Sequence, residues 1–129
     1  MFPKIDPTTT PSWQALLLHY EEMKSTHMED LFATDADRFT KFSIGLPDIL
    51  FDYSKNIITE KTMQQLIQLA LDCELPAAIK AMFGGEKINE TEDRSVLHTA
   101  LRNFSGEPVM SDGKDVMPDV KAVLDQMKS

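Results

Sequence analysis

The chain has 129 residues, 42% of them hydrophobic and 26% charged, which suits a folded domain and excludes disorder along its whole length. Thirteen Lys and Arg against 21 Asp and Glu leave a net charge of −8, so the surface repels phosphate backbones and anionic lipid, and neither nucleic acid nor membrane is expected as a partner. Cys73 is the only cysteine, which rules out an intrachain disulfide and fits a reducing compartment.

In chain order, Pro3, Pro7 and Pro11 with Thr8 to Thr10 predict an irregular lead-in. Thr10 can cap a helix and Pro11 suits its first position. Trp13, Leu16, Leu17, Tyr20 and Met23 then recur at helical spacing and predict one apolar face. Asp30 to Phe32 and Arg38-Phe39 predict a short helical piece. Two short strands follow, over 40–44 and 48–53, with Gly45-Leu46-Pro47 as the turn between them. Thr59 can cap a helix whose face is Met63, Leu66, Ile67 and Ala70, extended by Leu69 and Cys73. Leu75, Ala78, Ile79, Met82 and Phe83 predict another, stopped by Gly84-Gly85 because glycine accepts the left-handed conformation beyond a helix.

Thr91 is a good helix cap, with Glu92 and Asp93 where the dipole favours negative charge, so a helix is expected over 91–103. Its apolar side would be Val96, Leu97, Ala100 and Leu101, with Phe104 beyond. Ser105-Gly106-Glu107-Pro108 and Ser111-Asp112-Gly113 are turn signals around an extended Val109-Met110. Pro118 opens a last helix with Val120, Val123, Leu124 and Met127 on one face. The fold class expected is mainly α, with one small antiparallel β-hairpin near 40–53. No repeat or low-complexity tract interrupts it, and the eight methionines are expected to fill packing gaps. The longest aliphatic run, Ala15 to Leu18, is far too short to span a membrane, and Met1-Phe2-Pro3-Lys4 has no apolar signal core behind it.

The sharpest constellation for chemistry is Arg94, His98 and Arg102. At i, i+4 and i+8 of one helix they share an edge, and two guanidinium groups with an imidazole can grip a phosphate or carboxylate. The blander expectation is structural: their stems border the apolar face while their heads seek carboxylates or carbonyls. His19 and His27 stand isolated, with no metal-ligand spacing around them, so no metal site is expected. Cys73, on an apolar stripe, is expected to be an inert thiol. Gly84-Gly85 is no phosphate loop, since neither a preceding strand nor a following GK[ST] accompanies it. No catalytic, cofactor-binding or metal-binding residue is assigned.

Three stretches carry a family resemblance: Asp52-Tyr53-Ser54-Lys55-Asn56, the run from Phe83-Gly84-Gly85-Glu86-Lys87 to Ala100-Leu101-Arg102-Asn103, and Asp112-Gly113-Lys114-Asp115-Val116-Met117-Pro118. In order and spacing they resemble the DYSKN motif, the intervening segment and the DGKDVMP stretch of the glucose-6-phosphate isomerases. Helices at 13–20 and 120–128 resemble those at the matching places, so the resemblance covers essentially all of 1–129. Ser95 departs from it, standing where many members have alanine, and the turn over 45–48 looks shorter than in animal enzymes and more like bacterial ones.

The resemblance implies the N-terminal portion of a longer α/β enzyme with parallel sheets. Such an enzyme is a cytoplasmic homodimer of glycolysis and gluconeogenesis that interconverts glucose 6-phosphate and fructose 6-phosphate without metal or cofactor. In the family a glutamate moves a proton between C1 and C2 through an enediol, a histidine from the partner subunit and a lysine assist ring opening, and Ser and Thr in glycine-rich loops hold the phosphate. The resemblance puts all of these downstream of Ser129, so the segment alone is expected to be inactive. The alternative is a stand-alone helical interaction module without catalysis. A weaker third reading is a phosphosugar-binding regulator using the edge from Arg94 to Arg102.

Overall fold

The computed structural model describes residues 4–128. Met1, Phe2, Pro3 and Ser129 lie outside the described residues. Six α-helices, two short 3-10 segments and four short strands make up these residues, which divide into two compact units, 6–73 and the remainder. The expected mainly helical class is present. No helix among the described residues is long and apolar enough to cross a membrane.

In the unit 6–73, a 3-10 turn at Pro7–Thr9 leads to helix α1, Pro11–Met23. Thr10 caps α1 as expected, its hydroxyl accepting from Trp13 N at 3.2 Å. The packed face of α1 is rotated from the expected one. Ser12 and His19 are buried, while Leu17 and Tyr20 face solvent. The reason is a polar joint to α4, Glu60–Asp72: His19 bonds across the contact, and Asp72 takes a hydrogen bond from Ser12. Thr59 caps α4 through a reciprocal box with Thr62. On α4, Leu66 and Ile67 remain exposed although the periodicity placed them in the buried face.

Short helices α2, Met28–Thr34, and α3, Arg38–Lys41, come between them. Strands β1, Ser43–Leu46, and β2, Ile49–Asp52, form the expected antiparallel hairpin, with Ile44 opposite Phe51 and Leu46 opposite Ile49. Two boundaries differ from expectation. Residues 40–42 end a helix rather than begin a strand, because Phe42 is buried against Arg38. Gly45 pairs with Leu50, so the turn is Pro47-Asp48.

In the other unit, α5, Leu75–Phe83, starts after the left-handed Glu74 and buries Ala81, leaving Leu75, Ile79 and Phe83 exposed. The Gly84-Gly85 stop is present. Gly85 has φ +72° and lies so close to Met110 that an added Cβ would come within 1.8 Å of its carbonyl oxygen. A second antiparallel ladder, β3 Met110–Ser111 with β4 Lys114–Asp115, adds to the hairpin of the first unit. Asp112 and Gly113 both have positive φ, the pattern that closes a two-residue hairpin with the right twist. Asp115 Oδ1 accepts from Val109 N and Met117 N and so introduces α6, Met117–Lys128.

Among the described residues, the buried apolar ones are Phe42 in the first unit and Ala81 and Ala100 in the second. Most of the expected apolar stripes are therefore exposed along their outer half. Phe104 at 90% and Met127 at 79% are the extremes.

Candidate functional site

The expected helix over 91–103 does not form at its start. Asn89 and Arg94 exchange backbone hydrogen bonds, N to O at 3.2 and 3.1 Å, and tie 89–94 into a closed loop. Thr91 donates its hydroxyl to Asn89 Oδ1 at 2.8 Å instead of capping, and Asp93 is left-handed at φ 51°. Lys87 holds this loop to the β3–β4 turn, 3.3 Å from Asp93 and 3.4 Å from Asp112, and both carboxylates raise its pKa, Asp93 most. What remains helical is a 3-10 segment, Leu97–Arg102, anchored by the buried Ala100.

This undoes the edge of Arg94, His98 and Arg102. Arg94 belongs to the loop, and a 3-10 segment with three residues per turn does not align i with i+4. All three side chains are exposed. Arg102 Nη1 donates to the His98 carbonyl at 3.3 Å, while the Arg94 guanidinium has no hydrogen bond or ion pair among the described residues. The expectation of partly buried stems is corrected here; of heads seeking carboxylates or carbonyls, Arg102 alone meets it, at the His98 carbonyl, and the three groups form no common grip for an anion.

An open groove of about 670 Å³ runs between the 3-10 segment and α6. Its floor is apolar, from Ala100, Leu101, Phe104, Met117, Val120 and Leu124, and Asp115 and Lys121 stand on its sides. Asp115 is already committed to two backbone amides. Such a groove can bury apolar surface; Glu107, Asp125 and Lys128 also line it, and Lys128 pairs with Asp125 at 3.9 Å. Among the described residues, no three His, Cys, Asp or Glu side chains come together as a metal-holding group. Cys73 is half-buried at the end of α4, and His27 is exposed at the start of α2.

Two polar centres were not foreseen. Arg38, 2% exposed, donates from Nε to Ser54 O at 2.8 Å and from Nη2 to Asn56 O and Ile58 O at 2.7 and 3.0 Å. Its guanidinium also lies 4.7 Å from the centre of the Phe42 ring. The segment 52–56 is thus shaped by a buried cation sixteen residues upstream of Ser54. Asp52 completes the turn by accepting Ser54 N at 2.9 Å, and hydrogen bonding by Ser54 holds its carboxyl below the usual range. His19 is the second centre and is not isolated: Nε2 is 2.7 Å from Thr62 Oγ1 and Nδ1 is 2.9 Å from Glu22 Oε2. A sequence signal existed for this one. Ser12 and His19 lie seven residues apart, on the same face as Ala15 and Leu16, so a half-polar stripe was available beside the apolar one.

The motif segments therefore build local structure among the described residues. Asp52 to Asn56 wraps Arg38, and Asp112 to Pro118 makes a hairpin turn and a helix entry. Gly85, whose carbonyl accepts Ser95 Oγ at 2.6 Å, packs against the strand that precedes that turn. Ser95 Oγ also lies 2.9 Å from Ser111 Oγ, so the residue that departs from the common alanine gains two polar contacts. The same segments decide the family. The sequence model of phosphoglucose isomerase matches residues 52–129, beginning at Asp52 and including Asp112 to Pro118. The chain belongs to the phosphoglucose isomerase family. Membership supports an isomerase acting on a sugar phosphate as the function of the intact protein. It also gives the buried Arg38 a purpose, since this side chain lies outside the matched region yet holds its first residues in place.

Proposed function

We propose that the chain is the N-terminal segment of a glucose-6-phosphate isomerase, which interconverts glucose 6-phosphate and fructose 6-phosphate as a cytoplasmic homodimer. The match to phosphoglucose isomerase over 52–129 carries this reading. We propose further that the segment alone is inactive. Moving a proton between adjacent carbons requires a base within hydrogen-bonding reach of a bound sugar. The carboxylates with a distinct environment, at Asp6, Glu22, Asp35, Asp52 and Asp72, are each engaged by a hydrogen-bonding neighbour. His19, the one buried histidine, has both ring nitrogens occupied. The exposed apolar faces of the β1–β2 hairpin and α6 fit a scaffold packed against further protein better than a free-standing module.

The test is a coupled assay of fructose 6-phosphate conversion, run on the purified 129-residue chain and on the product of the complete coding sequence. We expect turnover from the second and none from the first. Turnover by the 129-residue chain would refute its inactivity, and an inactive complete product would favour the interaction module.

A further inference from the structure

Inside the joint between α1 and α4, a chain of hydrogen-bonding groups runs from Lys61 through Glu22, His19 and Thr62 to Thr59. Glu22 Oε2 accepts Lys61 Nζ at 2.5 Å and sits 2.9 Å from His19 Nδ1. Lys61, and after it His19, hold the Glu22 carboxyl below its usual range. An ionised carboxylate only accepts, so Nδ1 carries a hydrogen. A neutral imidazole has no second one, so Nε2 is bare and must accept. The partner at 2.7 Å is the Thr62 hydroxyl, which therefore donates to it.

The Thr62 oxygen also accepts Thr59 N at 2.9 Å and lies 3.1 Å from Thr59 Oγ1. One hydrogen and two lone pairs are then all used. If His19 gains a proton, Nε2 becomes a donor to Thr62. With Thr59 N, that fills both lone pairs of Thr62, and its own hydrogen turns to Thr59 Oγ1. Thr59 Oγ1 still accepts Thr62 N at 3.3 Å, and its own hydrogen turns away from Thr62. Both His19 nitrogens, the Thr62 hydroxyl and the two cap amides keep a partner in both states.

We propose that His19 and the Thr59–Thr62 capping box form a proton-responsive joint: the Thr62 hydroxyl donates to neutral His19 and accepts from protonated His19, so α1 stays hydrogen-bonded to α4 while only the bond between the Thr59 and Thr62 hydroxyls reverses. The charged groups around it are accounted for. On α4, Lys61 meets Glu22, Glu60 pairs with Lys41 at 3.7 Å, and Asp72 is bound by Ser12 and Gln68. On the 3-10 turn that precedes α1, Asp6 is bound by Thr8.

Imidazole ¹⁵N spectra of the labelled 129-residue chain test this, with His19 identified as the signal lost in His19→Gln. While the ring is neutral, we expect the Nδ1–H tautomer alone. Once it is protonated, both nitrogens should carry hydrogen while α1 amides stay protected from exchange. Glu22→Ala should release the tautomer to a mixture, because the carboxylate that accepts from Nδ1 is gone, whereas Thr62→Val should keep the Nδ1–H tautomer. An Nε2–H tautomer in the unsubstituted chain, a mixture like that of free imidazole, or loss of α1 protection on protonation would overturn the proposal. Should Thr62→Val not fold, the tautomer of the unsubstituted chain decides alone.

Discussion

Arg38→Met removes one buried cation and leaves its stem. The three carbonyls it serves are not equivalent. The bond to Ser54 O is buried, whereas the bonds to Asn56 O and Ile58 O are partly buried. Leaving the Ser54 acceptor unpaired costs about 1–3 kcal/mol, and the two partly buried carbonyls add about 0.5–1 kcal/mol each. Loss of the stacking on Phe42, 4.7 Å away, adds to this. Relief from desolvating a guanidinium offsets part of it, so the net destabilisation expected is about 2–4 kcal/mol. Urea unfolding followed by Trp13 fluorescence reads it, since Trp13 lies in the same unit. Arg38→Lys should fall between, because one ammonium cannot replace a planar fork across three acceptors. A midpoint for Arg38→Met that corresponds to a loss below about 1 kcal/mol would refute the view that this side chain organises 52–58.

Gly85→Ala should destabilise by more than about 3 kcal/mol, because the new methyl meets backbone at a strained φ of +72°, whereas Gly45→Ala, with nothing within 4 Å, should stay within about 0.5 kcal/mol in thermal melts. Arg94→Ala should likewise change stability by less than about 0.5 kcal/mol, its guanidinium being exposed and without a described partner; a loss of several kcal/mol would restore the buried-edge reading. Asp6, Glu22, Asp35, Asp52 and Asp72, all in the unit 6–73, have lowered folded-state pKa values. Their contributions are present above the unfolded carboxylate range near about 4 and are lost as pH falls through the folded values, so amide protection factors in 6–73, taken relative to the intrinsic exchange rate, should fall on acidification. Lys87 is raised, so its contribution is held below the ordinary lysine value of 10.5 and lost as pH rises through the folded one; Lys87→Met should remove that alkaline step from a stability profile.

Local chemistry carried a large share of this structure. Thr10 and Thr59 cap the helices they precede, Gly84-Gly85 ends α5, and Asp112-Gly113 turns a hairpin, because each outcome depends on a few neighbouring backbone groups. The motifs from Asp52 to Asn56 and from Asp112 to Pro118 placed the chain in its family for the same reason, being contiguous. What needed the tertiary structure was everything set by partners far along the chain. Periodicity marked the apolar side of α1, but the helix turned to bury Ser12 and His19, since Thr62 and Asp72 of α4 supply bonds that an apolar contact cannot. Arg38 gave no sign of its role because its acceptors are backbone carbonyls, which every residue has and only folding positions. The helix expected over 91–103 failed on the same ground. Its cap and first turn were sound by propensity, yet the Asn89–Arg94 backbone pair and the bridging of Asp93 and Asp112 by Lys87 close a loop there instead, and the edge of Arg94, His98 and Arg102 is lost with it.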